Sequence, residues 1–251
     1  MLKPLAILIT AILVVGAISP SVYGQAERPK TYGVLIDNTR SLEERFDHVK
    51  LFSERVIDEV HKQGPVQLFN FKWTRSPSDS FMTDQVQTYE GRNYEKAVGT
   101  LGVDWTQDED ILTRYIKGLG IIRGQTDLFG AIRFVAESLN ANTANSKDAP
   151  PEKVMILITD GEHRMEEIGS SRTETEDERS KRDSKLRKYL EESGIKVYAI
   201  GITSELDTGE NRRLRAENFL IRLTKETGGR VVFSRSKRVE IDKLVNQLLQ
   251  P

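Results

Sequence analysis

Asp37, Thr39 and Ser41 stand at alternate positions in TYGVLIDNTRS, residues 31–41, directly after a run of apolar and small residues. Asp160 repeats the pattern in VMILITDGEH, residues 154–163, where an equally apolar run stops at an acid. A solvated turn accounts for any one of these groups, because Asp, Asn, Thr and Ser bond to nearby backbone where strands end. Matching runs that both end in a carboxylate suggest more: two strand-end acids facing one crevice can share a cation. A third stretch, GQTDLFGAI at 124–132, puts Thr126 and Asp127 just ahead of a helical pattern, where a hydroxyl and a carboxylate are the expected cap and first-turn residues. Capping explains either residue alone, but not the ordered set of Asp37, Thr39, Ser41, Thr126 and Asp160.

The elements that must position these residues alternate along the chain. YGVLID, PVQLFNFKW, EKVMILITD, GIKVYAIGI and GRVVF are short apolar runs rich in β-branched or aromatic residues and read as strands. Between them, Leu42, Phe46, Val49, Phe52, Val56, Ile57 and Val60 recur at spacings of three and four, the mark of an amphipathic helix. ILTRYIKGL, LFGAIRFVAESL, RLRAENFLIRLTKETGG and VEIDKLVNQLLQ carry the same period, and Gly228-Gly229 supplies a helix stop. The alternation predicts a doubly wound α/β domain, with a mostly parallel sheet covered by helices on both faces. In such sheets ligands bind beyond the carboxyl ends of the strands, which is where Asp37 and Asp160 fall.

Residues from about 74 to 105 interrupt the rhythm and read as an insertion. They are expected to give one short antiparallel edge strand near FMTDQVQTY, 81–89, plus surface loop, with T-Q-D-E at 106–109 as a capping box for the next helix. The 251 residues, 37% apolar and 30% charged, suit one domain with a full core. A net charge of −1 gives no basic excess for nucleic acid. The absence of cysteine excludes disulfides, thiolate catalysis and Cys-based zinc sites. Lys3, the apolar run Leu5 to Ile18 and the small residue Gly24 read as an export signal cleaved before Gln25, leaving a secreted or periplasmic domain at 25–251 with no membrane insertion. That run is shorter than the roughly 20 residues of a spanning helix; an uncleaved N-terminal anchor is the alternative.

With its acid-hydroxyl-hydroxyl pattern, its Thr before a helix and its later strand-end Asp, residues 30–250 resemble the von Willebrand factor type A domain with its metal-ion-dependent adhesion site. Within the family the chain resembles the secreted bacterial forms, such as the VWFA-related proteins of acidobacteria. The resemblance implies the Rossmann-like fold of that family and a divalent cation, Mg²⁺ or else Mn²⁺ or Ca²⁺. It would be held by Asp37, Thr39, Ser41, Thr126 and Asp160. It further implies a partner protein offering an Asp or Glu carboxylate, and a rim of Arg40, Asp127, Glu162, His163 and Arg164. Thr39 replaces the family's usual Ser and keeps the oxygen, whereas Arg40 replaces a frequent Gly. Hydroxyl ligands with water-bridged carboxylates suit Mg²⁺, which dehydrates reluctantly and prefers six oxygens. An electron-poor ion of this kind would dock a carboxylate, a non-enzymatic role in adhesion or assembly.

Two other functions fit parts of the pattern. A haloacid-dehalogenase-like phosphohydrolase would use Asp37 as nucleophile with Mg²⁺, but it needs a second acid two residues on, where Thr39 stands. A metal-free type A scaffold would keep the fold without the ion. No G-x-S-x-G elbow supports a serine hydrolase. RTETEDERSKRDSKLRK, 172–188, mixes charges at close spacing and reads as loop running into a solvated helix, and His163 as an exposed loop residue.

Overall fold

A computed structural model describes residues 28–74, 96–123, 125–144, 150–163, 175–202, 210–235 and 240–249. The expected signal segment, most of the insertion and Arg164 of the expected rim lie outside these residues.

Seven strands form one sheet: β1 (Lys30–Ile36), β2 (Val66–Thr74), β3 (Lys96–Thr106), β4 (Gln125–Thr126), β5 (Glu152–Thr159), β6 (Ile195–Ile202) and β7 (Val231–Ser234). Their order is β4-β3-β2-β1-β5-β6-β7, and only the β2-β3 pairing is antiparallel. The antiparallel strand is Lys96–Thr106, which sequence reading leaves inside the insertion; it is eleven residues long and carries the two-residue β4 on its outer side. The strand expected at 81–89 falls outside the described residues.

Helices α1 (Phe46–Val60), α2 (Glu109–Gly118) and α6 (Ile241–Leu249) cover one face, and α3 (Leu128–Ala144), α4 (Glu176–Glu192) and α5 (Glu210–Glu226) the other. Strand geometry sends successive side chains to opposite faces, so Val34 and Ile36 join the first core while Leu35 joins the second. The two layers explain why these strands read as unbroken apolar runs: neither face meets water. At Gly33, an added Cβ would lie 2.7 Å from Val135 Cγ1, and at Gly99 it would lie 2.7 Å from the Ala131 backbone. Glycine at these positions lets α3 settle close against β1 and β3, which fixes the start of α3 beside the sheet's carboxyl end.

The amphipathic stretch from Leu42 begins as a 3-10 helix, Arg40–Arg45, and becomes α-helical at Phe46. The capping box expected at 106–109 does not form. Asp108 is the cap of α2, accepting from Ile111 N at 3.1 Å, while Thr106 Oγ1 accepts from Asp108 N at 3.0 Å. Among the described residues no helix is long and apolar enough to cross a membrane.

Candidate metal centre

β1 and β5 lie side by side in register, Ile36 opposite Ile158, so both deliver an aspartate at the same end of the sheet. Asp37 N donates to Ile158 O at 2.9 Å, extending the ladder to the acid itself. Its carboxylate is fully buried and enclosed by hydroxyls: Oδ1 accepts from Thr39 Oγ1 at 2.6 Å and from Thr39 N at 3.0 Å, and Oδ2 accepts from Thr159 Oγ1 at 2.7 Å. Thr39 Oγ1 in turn lies 3.2 Å from Ser41 Oγ. Ser41 lies in the first turn of the 3-10 helix, which buried Leu42 and Arg45 hold in place; Arg45 donates to Ser234 Oγ at 3.0 Å, at the end of β7.

Asp160 follows β5 and is half-buried. Its Oδ1 accepts from Glu162 N at 2.8 Å, closing a turn through Gly161, whose φ of 78° is the left-handed conformation that favours glycine. The Ser41 hydroxyl acts on the Asp160 carboxylate, lowering its pKa. Asp37, Thr39 and Ser41 thus form a hydrogen-bonded set of oxygen atoms on the side of the crevice that faces Asp160.

Electrostatics sets the two carboxylates against each other. Burial raises the Asp37 pKa above its ordinary value, opposed by the hydrogen bonds of Thr39 and Thr159. Asp160 is pushed well above its ordinary value, first by desolvation, then by the charges of Asp37 and Glu162; only the Ser41 hydroxyl and the Glu162 amide act the other way. Two acids that cannot comfortably ionise together, with hydroxyl oxygens between them, form a donor set that fits a hard divalent cation. Among the described residues no three His, Cys, Asp or Glu side chains gather into a cluster, so such an ion would rely on hydroxyls.

Residues 33–247 match the sequence profile of the von Willebrand factor type A domain. The chain belongs to that family. No curated protein sequence matches it. Among solved structures, this type A domain is similar to the vWF domain of the type V pili tip protein Mfa5 from Porphyromonas gingivalis: TM-score 0.56, 12% identity, 88% of this chain and 95% of that one. It is also similar to manganese-loaded TRAP protein from Plasmodium vivax: TM-score 0.55, 12% identity, 88% and 74% covered. A third relative is proximal thread matrix protein 1 from the mussel byssus with a zinc-occupied MIDAS motif: TM-score 0.53, 16% identity, 89% and 48% covered. At these identities the likeness is one of fold.

Thr126 of the type A domain is buried and pairs with Ala97, which pairs with Trp73. Trp73 lies four residues past Phe69, the partner of Leu35, and Thr39 lies four past Leu35, so Thr126 sits at the Asp37 end of the sheet. It does not cap α3. That role belongs to Asp127, whose Oδ1 accepts from Gly130 N at 3.1 Å. Asp127 is also removed from the expected rim: it is 1% exposed and paired with Arg182 at 3.3 Å. His163 is likewise no exposed rim residue. Its ring is buried and stacks on Phe129, with centroids 4.0 Å apart and planes 5° from parallel, and Arg182 Nη1 lies 3.3 Å from its Nε2. Arg40 is exposed and Glu162 half-buried.

Arg182 is the site-associated residue that sequence reading misses. It projects from α4, whose start Thr175 and Glu178 fix as a reciprocal capping box, and it touches both Asp127, next to Thr126, and His163, three residues past Asp160. The helix is not uniformly solvated as expected: Asp183, also buried, accepts from Arg187 at 2.9 Å and from Arg222 at 3.1 Å.

Proposed function

We propose that this type A domain binds one divalent cation, Mg²⁺ or alternatively Mn²⁺ or Ca²⁺, through Asp37, Thr39, Ser41, Thr126 and Asp160, and through that ion a carboxylate of a protein partner. The observation that carries the reading is that adjacent strands β1 and β5 deliver Asp37 and Asp160 to the same end of the sheet, with the Thr39 and Ser41 hydroxyls beside Asp37. A cation there would relieve the repulsion, and because its protein contacts would include neutral oxygens, it would stay electron-poor enough to favour an acidic ligand. The domain's role is adhesion or assembly outside the cytoplasm, in line with the N-terminal export pattern and with the pilus-tip and metal-loaded relatives. Arg40 and Glu162 flank the docking position.

A non-catalytic role is supported by the environment of Asp37. Both its oxygens already accept hydrogen bonds from buried hydroxyls, and the position two residues on, where a phosphohydrolase needs an acid, is the hydroxyl of Thr39. Calorimetric titration of Mg²⁺ and Mn²⁺ into the protein tests the proposal. The wild type should bind one ion, and Asp37→Ala and Asp160→Ala should lose that binding while keeping the fold by circular dichroism. Partner capture should vanish in EDTA. A wild type that takes up no divalent ion at millimolar concentration would leave the domain a metal-free scaffold.

A further inference from the structure

A cavity of about 700 Å³ opens between α2 and strands β2 and β3. Its walls are apolar: Phe71, Val103, Ile111, Leu119, Ile121 and Ile122. Two exposed cations, Lys72 and Arg114, also line it, and among the described residues neither has an ion-pair or hydrogen-bond partner. The polar groups inside are already oriented. Tyr115 Oη donates to Asn70 Oδ1 at 2.8 Å, and Asn70 Nδ2 donates to Phe71 O at 3.0 Å, so these two side chains are held to each other and to the backbone. Ile111, on the helix above, is 46% exposed, a large apolar side chain left in water beside a cavity it could help to close.

From the apolar walls and the two free cations we infer that this cavity is a binding site for an apolar molecule carrying one carboxylate or sulfonate. Volumes of this size are typical of small-molecule sites, in which apolar walls supply affinity and a few polar groups supply orientation. Each methylene moved out of water adds to the affinity, while the cations select the sign of the head group. A neutral or cationic amphiphile would leave Lys72 and Arg114 without a counter-charge. The site is distinct from the Asp37–Asp160 crevice, yet it touches the same loop: Asn38 lines the cavity, with its Nδ2 donating to Gly120 O at 2.9 Å and its Oδ1 accepting from Phe71 N at 2.9 Å.

The test uses the full chain in EDTA, so that it is independent of cation binding. Anilinonaphthalene sulfonate serves as fluorescent probe, and dodecanoate, dodecanol and dodecylamine as competitors below their aggregation limits. Saturable one-site binding of the probe, displaced by dodecanoate at least tenfold better than by dodecanol or dodecylamine, supports the assignment. Lys72→Glu combined with Arg114→Glu should weaken dodecanoate at least tenfold, and Ile111→Trp or Val103→Trp should block the probe with an unchanged circular dichroism spectrum. Three results would overturn it: no saturable binding by the folded wild type, equal displacement by all three amphiphiles, or binding that appears only after deletion of residues 77–93. The last would make this chain's own segment the occupant.

Discussion

Thr159 and Asp37, 122 residues apart in sequence, meet across the β1-β5 boundary through a 2.7 Å hydrogen bond from the threonine hydroxyl to Asp37 Oδ2. The same Thr159 oxygen accepts from Gly161 N at 3.0 Å, so one hydroxyl orients the first carboxylate and shapes the turn that presents the second. Thr159→Val keeps the side-chain shape and removes both bonds, leaving a buried carboxylate oxygen short of a donor. The expected cost is about 1 to 3 kcal/mol in urea or thermal unfolding. Thr159→Ser should recover most of it, and a valine variant as stable as the wild type would show that the bond does not support the fold.

Asp160→Asn should stabilise the cation-free protein at neutral pH. A carboxyl whose native pKa lies above its ordinary value of 3.8 holds its proton more tightly folded than unfolded, so stability falls as pH rises from about that value through the native pKa. Asn is spared this loss and can still accept from Glu162 N. The wild type and the variant should unfold at similar denaturant concentrations near pH 3.5 and diverge in favour of the variant by pH 7 in EDTA. Saturating Mg²⁺ should then favour the wild type. An asparagine variant that is less stable at pH 7 in EDTA would contradict the assigned repulsion.

Arg182→Gln takes from the buried Asp127 carboxylate the guanidinium that lies 3.3 Å away. Removing one member of a buried pair costs about 3 kcal/mol or more, here at the low end because the 3.3 Å contact is long. The double variant Arg182→Gln with Asp127→Asn should regain much of this loss, since Asn also caps a helix well. Chemical denaturation of the four proteins as a double-mutant cycle gives the coupling directly, and a coupling near zero would deny the pair a structural role.

The sheet and its carboxyl-end acids were legible because strands buried on both faces read as continuous apolar runs, and a carboxylate ending such a run stands out. β3 was not legible: KAVGTLGVDWT contains Gly99 and Gly102 and exposes Leu101, so neither a solid apolar run nor a clean alternation marks it. Pairing with β2 and contact with α3 make it a strand. Thr126 and Asp127 are both good caps, and sequence alone does not resolve which of two adjacent residues takes that role. Arg182, Asp183 and His163 are buried against what their residue types suggest, for a common reason. A charged or polar side chain is polar in any sequence window, and partners far off in the sequence, among them Asp127, Arg222 and Phe129, compensate its burial.

The antiparallel pairing of β2 with β3 brings Thr74 directly opposite Lys96, at the same end of the sheet as Asp37 and Thr126. A chain that leaves one strand and enters its immediate neighbour has its two tether points already adjacent, so lengthening it is cheap: each doubling of a flexible connection adds only about 0.6 kcal/mol of closure entropy. The domain thus has a permissive grafting point beside the crevice. Sequence inserted between positions 74 and 96 leaves and re-enters the sheet at the end that carries Thr39 and Ser41, so it can diverge, grow or be exchanged while the sheet stays as it is.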